Sequence, residues 1–490
     1  MKEIVESYFA HRSMVNHQLA SYDDCIPSGD GKGSRMEKIV RGIRIGSDDP
    51  LEDVPGGEDA GGMIKLDVLD KEIYIRMKGI RLGAPTVREA NGAEHPATPL
   101  ECRLRKLTYF SPIYMDFKIY RDDLPPSTTD SDIGFIEEEG VHIGNLPIMV
   151  RSGRCNLHPD HIAGTQEKSL KLSPTTSAED AQRHKELLRK AGEDPLDPGG
   201  YFIINGTERV LISMEDLAPN RVTVEKNKKY AHETEVAKIF SQKDGVRKPI
   251  NVEKRRDGML MVKIPSAGTT AIPVVLLMRA LGMENDRDIF SAIAGPVEAM
   301  KYTVANLNDV KDNPEYGVDN TEEAMAWLEK KFAAGQQKEY RESRIQNLLD
   351  KELLPHLGSG DTVRTKKAIF LGRIVRQVLE MAITNRDPND KDHYANKRVR
   401  LAGDLMEDLF RVGVQGLARD LKYQLERHHN RKRELKINSC LRPDVLTSKI
   451  MHALATGNWV GGRSGVSQLL DRTTYLASLS HMRRVTSPLV

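Results

Sequence analysis

Cys155, His158, Asp160 and His161 place a thiol, two imidazoles and a carboxylate within seven consecutive residues. All four are metal-ligand types, but a structural zinc site normally draws paired ligands from two chain segments. The remaining cysteines, Cys25, Cys102 and Cys440, are far apart and form no CxxC pair. A loop with hydrogen-bonded histidines, rather than a metal site, is therefore the expectation here. "SGDGKGSRMEKIV" (Ser28 to Val40) has the glycines of a phosphate loop. That motif needs Gly-Lys followed by Ser or Thr, whereas Lys32 is followed by Gly33, and no core strand leads into Gly29. A plain glycine-rich loop is the expectation. Asp130/Asp132, Asp286/Asp288 and Asp390/Asp392 are DxD pairs in polar surroundings. Two-metal chemistry needs denser carboxylates, able to hold ions about 3.5–4 Å apart. Neither a GxSxG elbow nor an HExxH motif is present. These residues imply a chain without a catalytic centre of its own.

The last stretch differs in kind. From Gly457 to Val490 the cations are Arg463, Arg472, Arg483 and Arg484, against Asp471 alone, with Gln468 and His481 as neutral partners. Guanidinium groups pair with phosphate in bidentate fashion, while Gln and His reach sugar hydroxyls or base edges. By spacing alone this could be a polar helix-turn-helix surface. A second basic run, "LKYQLERHHNRKRELK" (Leu421 to Lys436), carries six Lys or Arg against two Glu. It fits a solvated helix end at the negative pole of the dipole as well as a phosphate-facing surface.

Such charge has to be local, because 73 Lys plus Arg against 71 Asp plus Glu leave a net charge of only +2. A free-standing nucleic-acid module would carry a stronger basic excess. The 490 residues allow roughly three average domains. The N-terminus has no apolar core like that of a signal peptide, and no run approaches the ~18 apolar residues of a membrane span. With scattered free thiols, the expectation is a soluble, cytoplasmic protein without membrane contact.

The elements that must position these residues are mixed α/β. "SYFAHRSMVNHQLASYDDCI" reads as an opening helix, and Asp48 to Gly62 as an acidic surface loop. Lys106 to Tyr120 is β-rich. Ser177 caps a short helix that Gly192 stops. Asn205-Gly206, between Tyr201–Ile204 and Thr207–Ile212, predicts a type I′ hairpin, whose two central positions need positive φ. From about Arg221 the pattern changes to strands followed by the apolar helix "PVVLLMRALGM". Asn320 with Glu323 signals a capping box. Ala368–Ile383 and Leu401–His428 read as amphipathic helices, the second marked by Leu405, Leu409, Leu417, Leu421 and Leu425.

"ALATGNWVGGRSGVSQLLDRTTYLASLSHMRR" resembles the fork region of the second-largest subunit of multisubunit DNA-directed RNA polymerases. "MVNHQLASYDDCI", "ECRLRKLTYFSPIYMD", "GNLPIMVRSGRCNL", "DPGGYFIINGTERVLI", "PVVLLMRALG", "ELLPHLG", "DKDHYANKRVRLAG" and "MEDLF" are similar to other blocks of that subunit, in the same order. The form is similar to the amino-terminal half that some archaea encode as a separate subunit. This resemblance implies a multidomain α+β architecture. Residues 1–221 and 399–456 would form the protrusion, 222–398 an inserted lobe, and 457–490 the start of the fork, inside which the sequence ends. It implies that Arg463, Gln468, Asp471, His481, Arg483, Arg484 and Thr486 face nucleic acid. Gln468 and Arg484 would approach the RNA backbone, while His481 and Arg483 shape the pocket beside the RNA–DNA hybrid. Asp471 would orient donors or serve as a salt-bridge acid. It also implies that catalytic Mg2+ is held by another subunit. The partners would be the remaining half of this subunit, the largest subunit, template DNA and nascent RNA. Two other readings stand beside it: a truncated paralogue that binds without supporting transcription, and a small metalloenzyme built on Cys155, His158 and His161.

Overall fold

The computed structural model describes residues 13–27, 33–46, 62–66, 73–121, 135–162, 178–229, 232–243, 245–265, 268, 270–335, 337–384 and 386–487. Two units emerge, one from residues 1–215 and 399–490, the other from residues 216–398. Both mix helices and strands, so the fold is multidomain and α/β in composition. The sequence features at Ser28–Lys32, Asp48–Gly61, Asp130/Asp132 and Ser177 lie outside the described residues.

In the first unit, helices α1 (Asn16–Cys25) and α2 (Arg35–Arg41) lead into a five-stranded sheet. Its strands, in spatial order, are β1 (Arg44–Ile45), β2 (Gly62–Lys65), β3 (Ile73–Leu82), β4 (Phe110–Arg121) and β5 (Phe135–Pro147). Burial alternates along β4, with Ile113, Met115, Phe117 and Ile119 inward, as a strand with one covered face requires. Helix α3 (Pro99–Leu104) lies between β3 and β4 in sequence, and α4 (Ala178–Lys190) ends before Gly192, whose φ is +78°.

Next comes the hairpin of β6 (Phe202–Ile204) and β7 (Thr207–Leu211), paired Phe202 to Arg209 and Ile204 to Thr207. Asn205 (φ 50°) and Gly206 (φ 77°) take the left-handed conformations expected of that turn. Strand β8 (Ser213–Leu217) follows. After the second unit, the chain forms α5 (Ala402–Asn430) and α6 (Asp444–Thr456). Leu405, Leu409, Leu417, Leu421 and Leu425 are all buried along α5, each burial worth roughly 1.5–3 kcal/mol before entropy costs. They join α1, α6 and one face of the sheet in a single core. The Asp404 carboxylate accepts from the Leu401 N–H at 2.9 Å and so ties down the start of α5.

The second unit has its own core. Strands Val222–Lys229, His232–Lys243, Val246–Lys254, Leu260–Lys263 and Ile272–Pro273 form an antiparallel meander. The apolar helix Val274–Ala280 is buried along its whole length. Its Arg279 is fully buried, and its guanidinium donates to the Val318 carbonyl and to Asp286 (2.6 Å) and Asp319 (3.2 Å). At the expected capping box, Glu323 accepts from the Asn320 N–H at 3.3 Å. Helix Asp361–Thr384 buries Ile374, Val375, Val378 and Leu379, as its sequence pattern required. Its buried Lys367 donates to the carbonyls of Leu349 (2.8 Å) and Asp350 (2.7 Å), and burial pushes the amine down to about 8.

Candidate nucleic-acid interface

The terminal stretch folds as strand β9 (Ser467–Leu469), helix α7 (Tyr475–Met482) and strand β10 (Val485–Thr486). A helix-turn-helix, which the residue spacing allowed, is not what forms. Ser467 and Gln468 pair with Leu211 and Val210, so the first half of the stretch is drawn into the β6–β7 sheet as a third strand. Thr474 Oγ1 accepts from the Ala477 N–H at 3.0 Å and starts α7. Ser478, His481 and Met482 face inward at helical spacing, leaving Tyr475 and Leu476 exposed. On the far side of α7, β10 pairs in parallel with β8, Val485 opposite Ser213 and Thr486 opposite Met214.

His481 sits at the centre. Its Nδ1 accepts from the Asp471 N–H at 3.1 Å, so the ring proton belongs on Nε2, which lies 3.0 Å from Gln468 Oε1. Gln468 in turn donates from Nε2 to the Gly465 carbonyl at 3.1 Å. Burial, then the nearby Arg484 charge, push the His481 imidazole below its ordinary range, while Asp471 opposes them. The relay therefore operates as a neutral one. Ser478 Oγ donates to the Asp471 carbonyl at 2.5 Å, binding the same peptide to α7 a second time.

The Asp471 carboxylate accepts from the Thr473 N–H (2.9 Å) and hydroxyl (2.7 Å), which lower its pKa. Among the described residues it makes no ion pair within contact distance of an arginine, although the Arg484 charge also lowers its pKa, and its hydrogen bonds close its own loop. Arg483 donates to the Met14 carbonyl at 2.7 Å. The Arg484 side chain is exposed, with no hydrogen-bond or ion-pair partner among the described residues. Arg483 and Arg484 line a groove of about 420 Å³ with Leu476, Leu479 and Ser480. Arg463 stands elsewhere: its Nη1 approaches Met214 Sδ at 4.0 Å, and Met214 is also the strand partner of Thr486. Gln468, Asp471 and His481 thus converge with Arg483 and Arg484 about α7, while Arg463 and Thr486 share the neighbourhood of Met214.

Arg472 was missing from the expected set. Its Nε and Nη2 bind Glu208 at 2.6 and 2.9 Å, and its guanidinium lies 4.9 Å from the Tyr201 ring centre. The two partners are more than 260 positions apart, and neither belongs to a motif that would have announced the pairing.

Other sequence candidates among the described residues take ordinary structural roles. Cys155 is buried, and its Sγ accepts from the Tyr109 hydroxyl at 3.4 Å. His161 Nε2 lies 3.0 Å from the Gly153 carbonyl. Among the described residues, a triad with ligand atoms close together is Glu89, His95 and Glu101. Arg105 already bridges its two carboxylates at 2.6 Å each. Asp286 is held by Arg279 and Lys311, and Asp390 accepts from the Asp392 N–H. Among the described residues, no helix is long and apolar enough to cross a membrane.

Known proteins match this chain along almost its whole length. A sequence model of the family described as RNA polymerase Rpb2, domain 2 matches residues 218–400, and one described as RNA polymerase beta subunit matches residues 13–171. DNA-directed RNA polymerase subunit Rpo2N of Halobacterium salinarum is 39% identical over 496 aligned residues, covering 100% of this chain and 84% of the relative. The Rpo2N of Methanocaldococcus jannaschii is also 39% identical, covering 100% and 86%. The Rpo2 subunit of Saccharolobus solfataricus is 38% identical, with 99% of this chain aligned to 38% of that longer protein. This chain therefore belongs to the Rpo2N family, the amino-terminal part of the second subunit of archaeal DNA-directed RNA polymerase, and its role is that of a polymerase subunit in transcription.

Proposed function

We propose that this subunit forms one wall of the DNA cleft and that its terminal stretch faces the RNA–DNA hybrid. Residues 1–221 and 399–456 make the protrusion, 222–398 the lobe, and 457–490 the start of the fork. The autonomous core of residues 216–398, interrupting the other unit in sequence, supports that division. The carrying observation is Arg484, an exposed guanidinium with no hydrogen-bond or ion-pair partner among the described residues, standing beside a neutral hydrogen-bonded relay. A processive enzyme needs such an arrangement, because backbone contacts hold a hybrid in any sequence and a sparse set of cations lets it slide. Arg463, Gln468, Asp471, His481, Arg483 and Thr486 complete the surface. Gln468 and His481 do so mainly by fixing its shape, since most of their polar capacity is spent internally.

Nucleotidyl transfer with Mg2+ belongs to the assembled enzyme, and the ion is held by another subunit. The described DxD pairs here do not fit that task, because Asp286, together with Asp319, is paired with Arg279 and Lys311 and Asp390 closes its own turn. The partners are the remaining half of the second subunit, the largest subunit, template DNA and nascent RNA.

Reconstitution tests the reading. Added to the remaining subunits, the chain restores promoter-independent RNA synthesis. Arg484→Ala assembles normally but flattens the dependence of elongation-complex lifetime on salt, by about 0.7–0.9 in log–log slope per lost phosphate contact. An unchanged slope removes Arg484 from the nucleic-acid path. Stable assembly without synthesis instead favours a paralogue that binds but does not transcribe.

A further inference from the structure

We infer that Arg472 is a positioning residue for the hybrid-facing surface, acting through Glu208 and making no contact with nucleic acid. This rests on the reading of α7 and its arginines given above.

The residues around Arg472 form one ionic cluster at the base of the β6–β7 hairpin. Arg472 meets Glu208 through two donors, at 2.6 and 2.9 Å, and its Nη2 lies 3.6 Å from Asp197. Glu208 is shared with Arg103, whose Nε is 2.8 Å away. Arg103 continues to Glu193 at 3.0 Å and to the Tyr201 hydroxyl at 2.6 Å. The Tyr201 hydroxyl donates to Asp197 and closes the cluster. Two guanidinium groups thus face three carboxylates, a local charge of −1 that repels phosphate. With Nε and Nη2 committed to Glu208 and one face lying over Tyr201, Arg472 keeps only Nη1 and is poorly placed for a bidentate grip on phosphate.

Its backbone position explains its use. Leu470 N–H donates to the Glu208 carbonyl at 3.0 Å, so Glu208 holds the chain by its main chain just before Arg472 and by its side chain at Arg472. Between these two ties lies Asp471, whose N–H feeds His481 and whose carbonyl receives Ser478. The sequence of contacts runs from Glu208 to the Asp471 peptide, then to His481 and Ser478 on α7, and so to Arg483 and Arg484 at its end. A guanidinium fork, unlike an ammonium, fixes orientation as well as distance.

The test uses polymerase reconstituted with variants of this chain, reading assembly, and elongation-complex lifetime against KCl. Arg472→Gln and Glu208→Gln each shorten the lifetime by about fivefold, the upper range for a partly exposed ion pair. Each leaves the salt slope unchanged, and the double variant is no worse than Glu208→Gln alone, which already loses the Arg103 contact as well. Arg472→Lys keeps the charge but resembles Arg472→Gln. A phosphate contact would give the opposite pattern: Arg472→Gln flattens the slope, Arg472→Lys stays near the parent, and Glu208→Gln lengthens the lifetime by releasing a cation. Any of these three results overturns the inference. If Glu208→Gln fails to assemble, the lysine variant decides alone. Loss of thermal stability with an unchanged lifetime reduces Arg472 to a plain structural ion pair and also overturns it. Arg484→Ala in the same assay reports separately on whether α7 faces nucleic acid at all.

Discussion

At the scale of single residues, the His481 ring has to stay neutral. Its Nδ1 accepts from the Asp471 N–H, and a proton there would turn an acceptor into a donor facing a donor. The structure opposes that proton through burial and the Arg484 charge, so the imidazole in place titrates below its ordinary value of about 6.5. The sign follows. The unfolded or detached stretch binds the proton more readily, so the relay is fully formed above about pH 6.5 and weakens as pH falls below it. His17 is shifted in the same direction by burial and Arg483, and contributes to the same acid loss. Elongation-complex lifetime should hold level from pH 8 to 7 and fall towards pH 5.5. His481→Asn should lower the lifetime at pH 8 and give a shallower fall. Parallel curves for parent and variant would remove His481 from the relay. The type and position of this histidine were visible in the sequence. Its two partners were not, because one is a backbone N–H and the other lies across the strand-to-helix loop. Arg472 was hidden for a related reason, since its role is set by a carboxylate contributed by the distant hairpin.

At the scale of elements, legibility followed the range of the determining interaction. The Asn205-Gly206 turn, the α5 leucine stripe and the helix following Asn320 are set by local backbone preference and period, and all are present. The terminal stretch went wrong as a helix-turn-helix because Ser467–Leu469 becomes a strand by pairing with β7, a contact spanning more than 250 residues. Glycines in α5 show the same contrast energetically. Gly→Ala inside a helix is ordinarily favourable by about 1 kcal/mol. At Gly403, however, a Cβ would lie 1.9 Å from the Ser21 carbonyl oxygen, and the Gly403 N–H already donates to Ser21 Oγ at 3.1 Å. Overpacking costs about 1–3 kcal/mol, and backbone cannot swing aside, so the clash between α5 and α1 wins. Gly416→Ala meets nothing closer than Val445 Cγ1 at 4.0 Å. Urea denaturation should therefore show Gly403→Ala destabilised by at least about 1 kcal/mol and Gly416→Ala stabilised by up to about 1 kcal/mol. Equal signs would mean that propensity, not packing, governs α5.

At the scale of the whole molecule, two units whose buried clusters share no member imply two folding events. The core of residues 216–398 draws its buried members from Val224 to Met381, and the largest core of the other unit takes none of them. Its buried cations also find their partners within the unit: the Arg279 Nη atoms meet Val318, Asp286 and Asp319, with only Nε left unpaired, and Lys367 meets the Leu349 and Asp350 carbonyls. A segment that keeps both its apolar contacts and the partners of its buried cations loses little on excision. Expressed alone, residues 216–398 should unfold cooperatively, with a midpoint close to one of two transitions seen in the full chain. Lys367→Met probes the same core from inside. It removes a donor from the buried Leu349 carbonyl and the part-buried Asp350 carbonyl, a cost of up to about 1–3 kcal/mol for each left unsatisfied, against the gain from burying a methionine in place of an amine. The two unpaired carbonyls outweigh that gain, so the variant should lower the midpoint of the fragment and the matching transition of the full chain alike, leaving the other transition in place. A fragment that melts without a cooperative transition, or a variant that shifts both transitions of the full chain equally, would show that the two cores fold as one.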